Sequence, residues 1–140
     1  MQKGKIVWIE DDAEIIFPVI ERLMKDGFEV VIIPTLSEAR ARLAEIRAAT
    51  ILILDLIVPG NKADTAKKYP GLSFLRELRT EHDFQVPVVI LSVVDNKRVE
   101  RELVELGACS MCRKPVLPST LQTAVMTSLG LPSPHEERTI

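Results

Sequence analysis

An excess of charge of one sign is missing from this chain. Its 140 residues carry 18 Lys and Arg against 20 Asp and Glu, a formal net charge of −2. Both signs are spread along the chain, which argues against a nucleic-acid domain with a basic face. No apolar run reaches the length of a membrane span. The opening "MQKGKIVWIEDD" goes straight into a strand pattern and lacks the long apolar stretch of a signal peptide. A soluble cytoplasmic protein is the expectation. Cysteine is scarce too. The two present, Cys109 and Cys112, are spaced C-x-x-C, and no second pair exists to complete a structural zinc site. They fall at the start of a strand pattern. Odd spacing there points the side chains to opposite faces, against chelation and against a disulfide.

What is present is enough apolar residue, 46%, for one domain with a sizeable core. Short runs rich in Val and Ile alternate with longer patterns of helical period. The strands are expected at Lys5–Ile9, Glu29–Ile33, Ile51–Leu56, Val86–Leu91 and Ser110–Arg113. Most are nearly continuous apolar runs, which suits parallel strands covered on both faces. Helices are expected at Ala13–Lys25, Ser37–Arg47, Leu72–Arg79, Asn96–Leu106 and from Pro118 to about Leu129. Pro18 should kink or loosen the first of them. Residues 1–130 would form the domain, and the Pro-rich, polar 131–140 a linker or frayed end. Five β-α repeats imply an open, doubly wound parallel sheet with helices on both faces. Ligands in such sheets bind beyond the carboxyl ends of the strands.

Those ends carry a consistent set of residues. Glu10, Asp11 and Asp12 follow the first strand, Asp55 ends the third, Ser92 follows the fourth, and Lys114-Pro115 follows the fifth. Asp55 is the one charge in the run "ILILDLIVPG". If strands one and three are neighbours, Asp11 and Asp55 converge with Glu10 beside them. Two carboxylates about 4 Å apart repel by roughly 4 kcal/mol at an effective dielectric of 20, so such a cluster needs a cation or a proton. Hard oxygen ligands in an open site suit magnesium. With Lys114 as a positive charge and Ser92 as a hydroxyl donor, these are the parts that phosphoryl transfer requires. Each has a bland reading alone: a solvated capping loop, a turn former, a strand-end serine, an exposed lysine. Their common position at strand ends is what argues for a site.

The motifs "IVWIEDD", "ILILDLIVPG", "VPVVILS" and "ELGACSMCRKP", in this order, resemble the receiver domain of two-component response regulators over about residues 3 to 129. The resemblance implies a (βα)5 flavodoxin-like receiver fold of strand order 2-1-3-4-5. It implies Asp55 as phosphoacceptor, and Glu10, Asp11, Asp55 and the backbone carbonyl of Ile57 around Mg2+ or Mn2+. Lys114 would pair with the phosphoryl oxygens, and Ser92 would follow the phosphoryl group inward on activation. The Lys114–Pro115 bond is usually cis in this family. The implied partners are a histidine kinase or phosphotransfer protein upstream and an effector protein or output domain downstream, with no direct nucleic-acid or membrane contact. The switching face would be the fourth helix, fifth strand and fifth helix, through which a homodimer would also form. Such a domain is not an enzyme proper, although it assists its own aspartyl phosphorylation and dephosphorylation.

Three features depart from the family pattern. The stretch Pro59–Gly71 carries about eight extra residues, "NKADTAKKY", with Lys62, Lys67 and Lys68. Val93 stands where Ala or Gly is usual, so slow hydrolysis of the phosphoryl group is expected. Met111 stands at the switch position in place of Tyr or Phe; it is flexible enough to fill the same space but has no hydroxyl or rigid ring. A binding module that has lost phosphorylation is the alternative from another class. A phosphatase with an aspartyl nucleophile would want a second Asp two residues on, where this chain has Ile57.

Overall fold

The computed structural model describes residues 3–11, 13–57 and 68–132. Five strands, β1 (Gly4–Ile9), β2 (Phe28–Ile33), β3 (Ile51–Leu54), β4 (Val88–Ser92) and β5 (Ala108–Arg113), form one parallel sheet in the order β2-β1-β3-β4-β5. Among the described residues, six helices connect and cover them: α1 (Ala13–Lys25), α2 (Leu36–Ala41), α3 (Leu43–Arg47), α4 (Pro70–Glu81), α5 (Lys97–Glu105) and α6 (Pro118–Ser128). This is the expected doubly wound fold.

Strand periodicity explains the two cores. Successive side chains point to opposite faces. Val7 and Ile9, Leu52 and Leu54, and Val88 and Ile90 therefore pack under α2 to α5 with Leu36, Ile46, Phe74, Leu75 and Leu103. Ile6 and Trp8, Ile51 and Ile53, and Val89 and Leu91 pack on the other face with Leu23 of α1 and Leu121 and Val125 of α6. Because both faces are covered, the three central strands read as unbroken apolar runs rather than as alternation.

The structure refines several boundaries. The helix expected over 37–47 is two short helices, broken at Arg42, whose backbone (φ −120°, ψ 34°) leaves the helical region. Thr35 caps the first by accepting from the Glu38 N–H. α1 continues through Pro18 without interruption. β3 ends at Leu54, leaving Asp55 beyond the ladder. β5 starts two residues earlier than expected, because its pairing with β4 slips between Val88 and Val89 and leaves Cys109 as an extra residue. Cys109 is exposed and Cys112 packs against the α1/α6 layer, so the two thiols do face opposite ways. The insertion at 61–69 lies outside the described residues up to Lys67, as does the tail from 133. Among the described residues no helix is long and apolar enough to cross a membrane.

Arg79 holds the end of α4 to two loops. Its guanidinium donates to the carbonyls of Leu106 (2.8 Å), Phe84 (2.7 Å) and Val86 (3.1 Å), and lies 5.3 Å from the centre of the Phe84 ring. Hydrogen bonds from charged groups are each worth roughly 1.5–3 kcal/mol and do not add fully. Arg79→Met should therefore lower stability by about 2–4 kcal/mol. The check is the urea midpoint, which should fall with an unchanged slope.

Candidate functional site

The neighbouring order of β1 and β3 builds the site. Ile9 is the register partner of Leu54, so the next residues on each strand, Glu10 and Asp55, meet at the carboxyl edge of the sheet. One carboxylate oxygen from each of Glu10, Asp11 and Asp55 lies within 4.8 Å of the others. β4 and β5 add the rest. Ser92 pairs with Arg113 in the ladder, and the Ser92 carbonyl accepts from the Lys114 N–H at 2.9 Å. The chain then turns through a cis Lys114–Pro115 peptide.

Lys114 reaches back into the acidic group. Its Nζ donates to Asp55 Oδ2 at 2.7 Å and lies 2.6 Å from Glu10 Oε1. The second Asp55 oxygen, Oδ1, accepts from the Ile57 N–H at 3.0 Å. Asp55 is thus satisfied on both sides although only 5% exposed. Glu10 is not. It is wholly buried, and its contact with Lys114 has the distance of an ion pair but not the alignment of a hydrogen bond; Oε2 has no hydrogen-bond partner among the described residues. Burial pushes the Glu10 carboxyl up from its ordinary 4.5 to about 7, with the Asp55 charge adding to the rise and Lys114 opposing it. Burial alone would lower Lys114, but Asp55 and Glu10 more than reverse this and raise it.

Among the described residues this is a donor set with one cation too few: three carboxylates face one ammonium, and one buried carboxylate oxygen has no hydrogen-bond partner. Buried anions of this kind are retained where a metal or proton completes them. Oxygen-only donors, partly open to solvent through the exposed Asp11, fit a divalent ion of the magnesium class.

The other expected residues sit at the rim. Ser92 is buried, and its Oγ accepts from the Val94 N–H (3.3 Å). Behind it lies a cavity of about 310 Å3 walled by Leu56, Ile90, Val99 and Leu103. Met111 stands at its mouth, 42% exposed. Val93, 60% exposed, borders a second cavity with Glu10 and Lys114. Ile57 approaches Asp55 through its backbone N–H, a contact separate from the metal-ligand role expected of its carbonyl. A further residue packs directly on the site, and the sequence motifs do not mark it. Gly71 donates its N–H to the Leu56 carbonyl at 2.8 Å, hard against the phosphoacceptor candidate's own backbone. The sequence pattern starts this helix only at Leu72, which leaves Pro70-Gly71 reading as a turn.

Residues 6–126 match the family model described as the response regulator receiver domain. The chain belongs to that family. This receiver domain is 27% identical over 116 residues to the transcriptional regulatory protein RstA of Escherichia coli (strain K12), covering 83% of this chain and 44% of that protein. It is 30% identical over 129 residues to the probable transcriptional regulator ycf27 of Porphyridium aerugineum, covering 92% and 49%. The chain thus spans less than half the length of these two relatives. The BeF3-activated N-terminal receiver domain of Klebsiella pneumoniae RstA superposes with a TM-score of 0.70 at 26% identity, over 89% of this chain and 97% of that one.

Glu10 should make the metal-free receiver domain sensitive to pH. Its folded value, about 7, lies above its ordinary 4.5, so the folded state holds a proton that the unfolded chain has released. The stability this contributes is full below about 4.5 and is lost as pH rises through about 7. Metal-free protein should melt higher at pH 5.5 than at pH 8, and Glu10→Gln should flatten that difference. Melting curves in chelator at the two pH values check this.

Proposed function

We propose that this receiver domain takes a phosphoryl group on Asp55 from the phosphohistidine of a histidine kinase or phosphotransfer protein. An Asp55 carboxylate oxygen attacks phosphorus, the phosphorus–nitrogen bond breaks, and the imidazole leaves and regains its proton from solvent. Lys114 stays beside the transferred group and offsets its charge. The Ile57 N–H orients the carboxylate before attack. Glu10, Asp11, Asp55 and the Ile57 carbonyl would hold Mg2+ or Mn2+. When bound, the ion supplies positive charge against the phosphoryl oxygens. The observation that carries this reading is the Lys114 ammonium, 2.7 Å from Asp55 and 2.6 Å from Glu10, amid three carboxylates.

Transfer would then be read out through Ser92. Turning its hydroxyl to the phosphoryl group breaks the bond from the Val94 N–H and shifts the wall of the cavity behind it. Met111, half out at the cavity mouth, moves in to fill the space. That biases the α5-β5-α6 face between two states, for an effector protein, an output domain or a second copy of the chain to recognise. The signalling unit would be residues 1–130, acting in the cytoplasm, where a kinase presents its phosphohistidine. Beryllofluoride with magnesium tests the switch by NMR. The Val94 amide and Met111 methyl signals should shift together to a second state. A magnesium-dependent adduct that leaves both unmoved would rule out this switch. No magnesium-dependent change anywhere would favour a phosphorylation-independent binding module.

A further inference from the structure

After Asp55 the chain runs out through Ile57 and returns at Lys68, Tyr69 and Pro70 to begin α4. It returns to the residue it left. Gly71 is buried, and its N–H bonds the Leu56 carbonyl at 2.8 Å. A β-carbon built on Gly71 would stand 2.2 Å from the Asp55 carbonyl oxygen, 3.0 Å from the Asp55 carbonyl carbon and 2.7 Å from the Leu56 α-carbon. Side-chain carbons do not approach backbone that closely, and none of these atoms belongs to a side chain that could swing away. The requirement is one of space at the Asp55–Leu56 peptide.

That peptide sets the aim of the carboxylate. It is the link between Asp55 and the Ile57 N–H that holds Oδ1. On its other side, the Asp55 N–H reaches the Ile9 carbonyl only at 3.4 Å, a long bond that restrains it weakly. Among the described residues, the close approach of Gly71 and this long bond are the backbone contacts at the acceptor. We infer that Gly71 is a positioning residue for Asp55: the bare α-carbon of α4's first turn sets where the carboxylate stands relative to Lys114, Glu10 and Asp11. The inference rests on the proposed acceptor role of Asp55.

Adding one methyl group must push the Asp55–Leu56 peptide or tilt α4. Misplacement by about 1 Å can cost on the order of 10²-fold in rate. The test is phosphorylation of Gly71→Ala by phosphoramidate with magnesium, across a range of donor concentrations. Rates are normalised to the folded fraction read from the near-ultraviolet signal of Trp8. Sucrose is added to all samples, so that a weakened variant is still measured folded. Leu78→Ala, a fully buried residue two turns further along α4, serves as the control for lost stability. For Gly71→Ala the maximal rate should fall at least ~10-fold, with half-saturation changed by less than ~3-fold. Leu78→Ala should keep its rate per folded molecule within about 2-fold of wild type, because it disturbs packing and not the acceptor. A Gly71→Ala rate near wild type, a loss carried by half-saturation, or an equal loss in Leu78→Ala would overturn the inference. Wild type that takes up no phosphoryl group would instead overturn the acceptor reading, and this inference with it.

Discussion

Asp55→Asn should take up no phosphoryl group from phosphoramidate and magnesium, a loss of at least ~10³-fold, as expected when a nucleophile is removed. The substitution is close to isosteric. The amide oxygen can still accept from Lys114, and the fold should survive. One of the three clustered negative charges disappears, so the variant should melt within a few degrees of wild type or above it. Magnesium should bind it more weakly. Intact-mass measurement of the adduct, beside melting curves, separates lost chemistry from lost structure. An adduct that persists in Asp55→Asn would move the chemistry to another residue.

The second large effect is expected at Lys114. Its ammonium lies within 2.7 Å of two carboxylates, one wholly buried and one 5% exposed. Removing one partner of a buried pair costs roughly 3–5 kcal/mol. Two things reduce that here. The Lys114 side chain is itself 23% exposed, which screens the interaction, and Glu10 can take up a proton. About 2 kcal/mol is the reasonable figure for Lys114→Met at pH 8, less at pH 5.5. Phosphorylation should slow by about 10- to 100-fold, the equivalent of one hydrogen bond from a charged group. Magnesium affinity should move the other way. With the ammonium gone, nothing competes with the ion for the same carboxylates, so the variant should bind magnesium more tightly while reacting more slowly. Calorimetric titration and initial rates on one preparation check both. Weaker magnesium binding in Lys114→Met would show that the lysine organises the metal ligands and does not compete with the metal.

The site's composition was legible in the sequence because parallel sheets carry their chemistry on strand ends. Apolar runs locate those ends for Glu10, Asp55 and Ser92, and Lys114-Pro115 marks the end of the less apolar fifth strand. The strand order that brings Glu10 to Asp55 came from the family resemblance and agrees with the observed sheet. Other features were not legible, for separate physical reasons. The break at Arg42 lies within a continuous helical pattern, and local propensity gives no reason for it. The slip at Cys109 depends on how the edge strand β5 meets β4, which one strand's pattern does not encode. The Ser92 Oγ accepts from the Val94 N–H two residues on, a choice of rotamer and not of residue type. Gly71 is the plainest case. Its reason is a contact with a residue sixteen positions earlier, and a lone Pro-Gly pair reads equally well as an ordinary turn.

Borohydride reduction of the phosphorylated protein tests the central assignment most directly, because it converts an aspartyl phosphate to homoserine in place. Wild type, phosphorylated with phosphoramidate and magnesium, then reduced and mapped by peptide mass, should carry homoserine at position 55 and nowhere else. Homoserine at any other position, or an intact Asp55 in a chain that had gained a phosphoryl group, would contradict it.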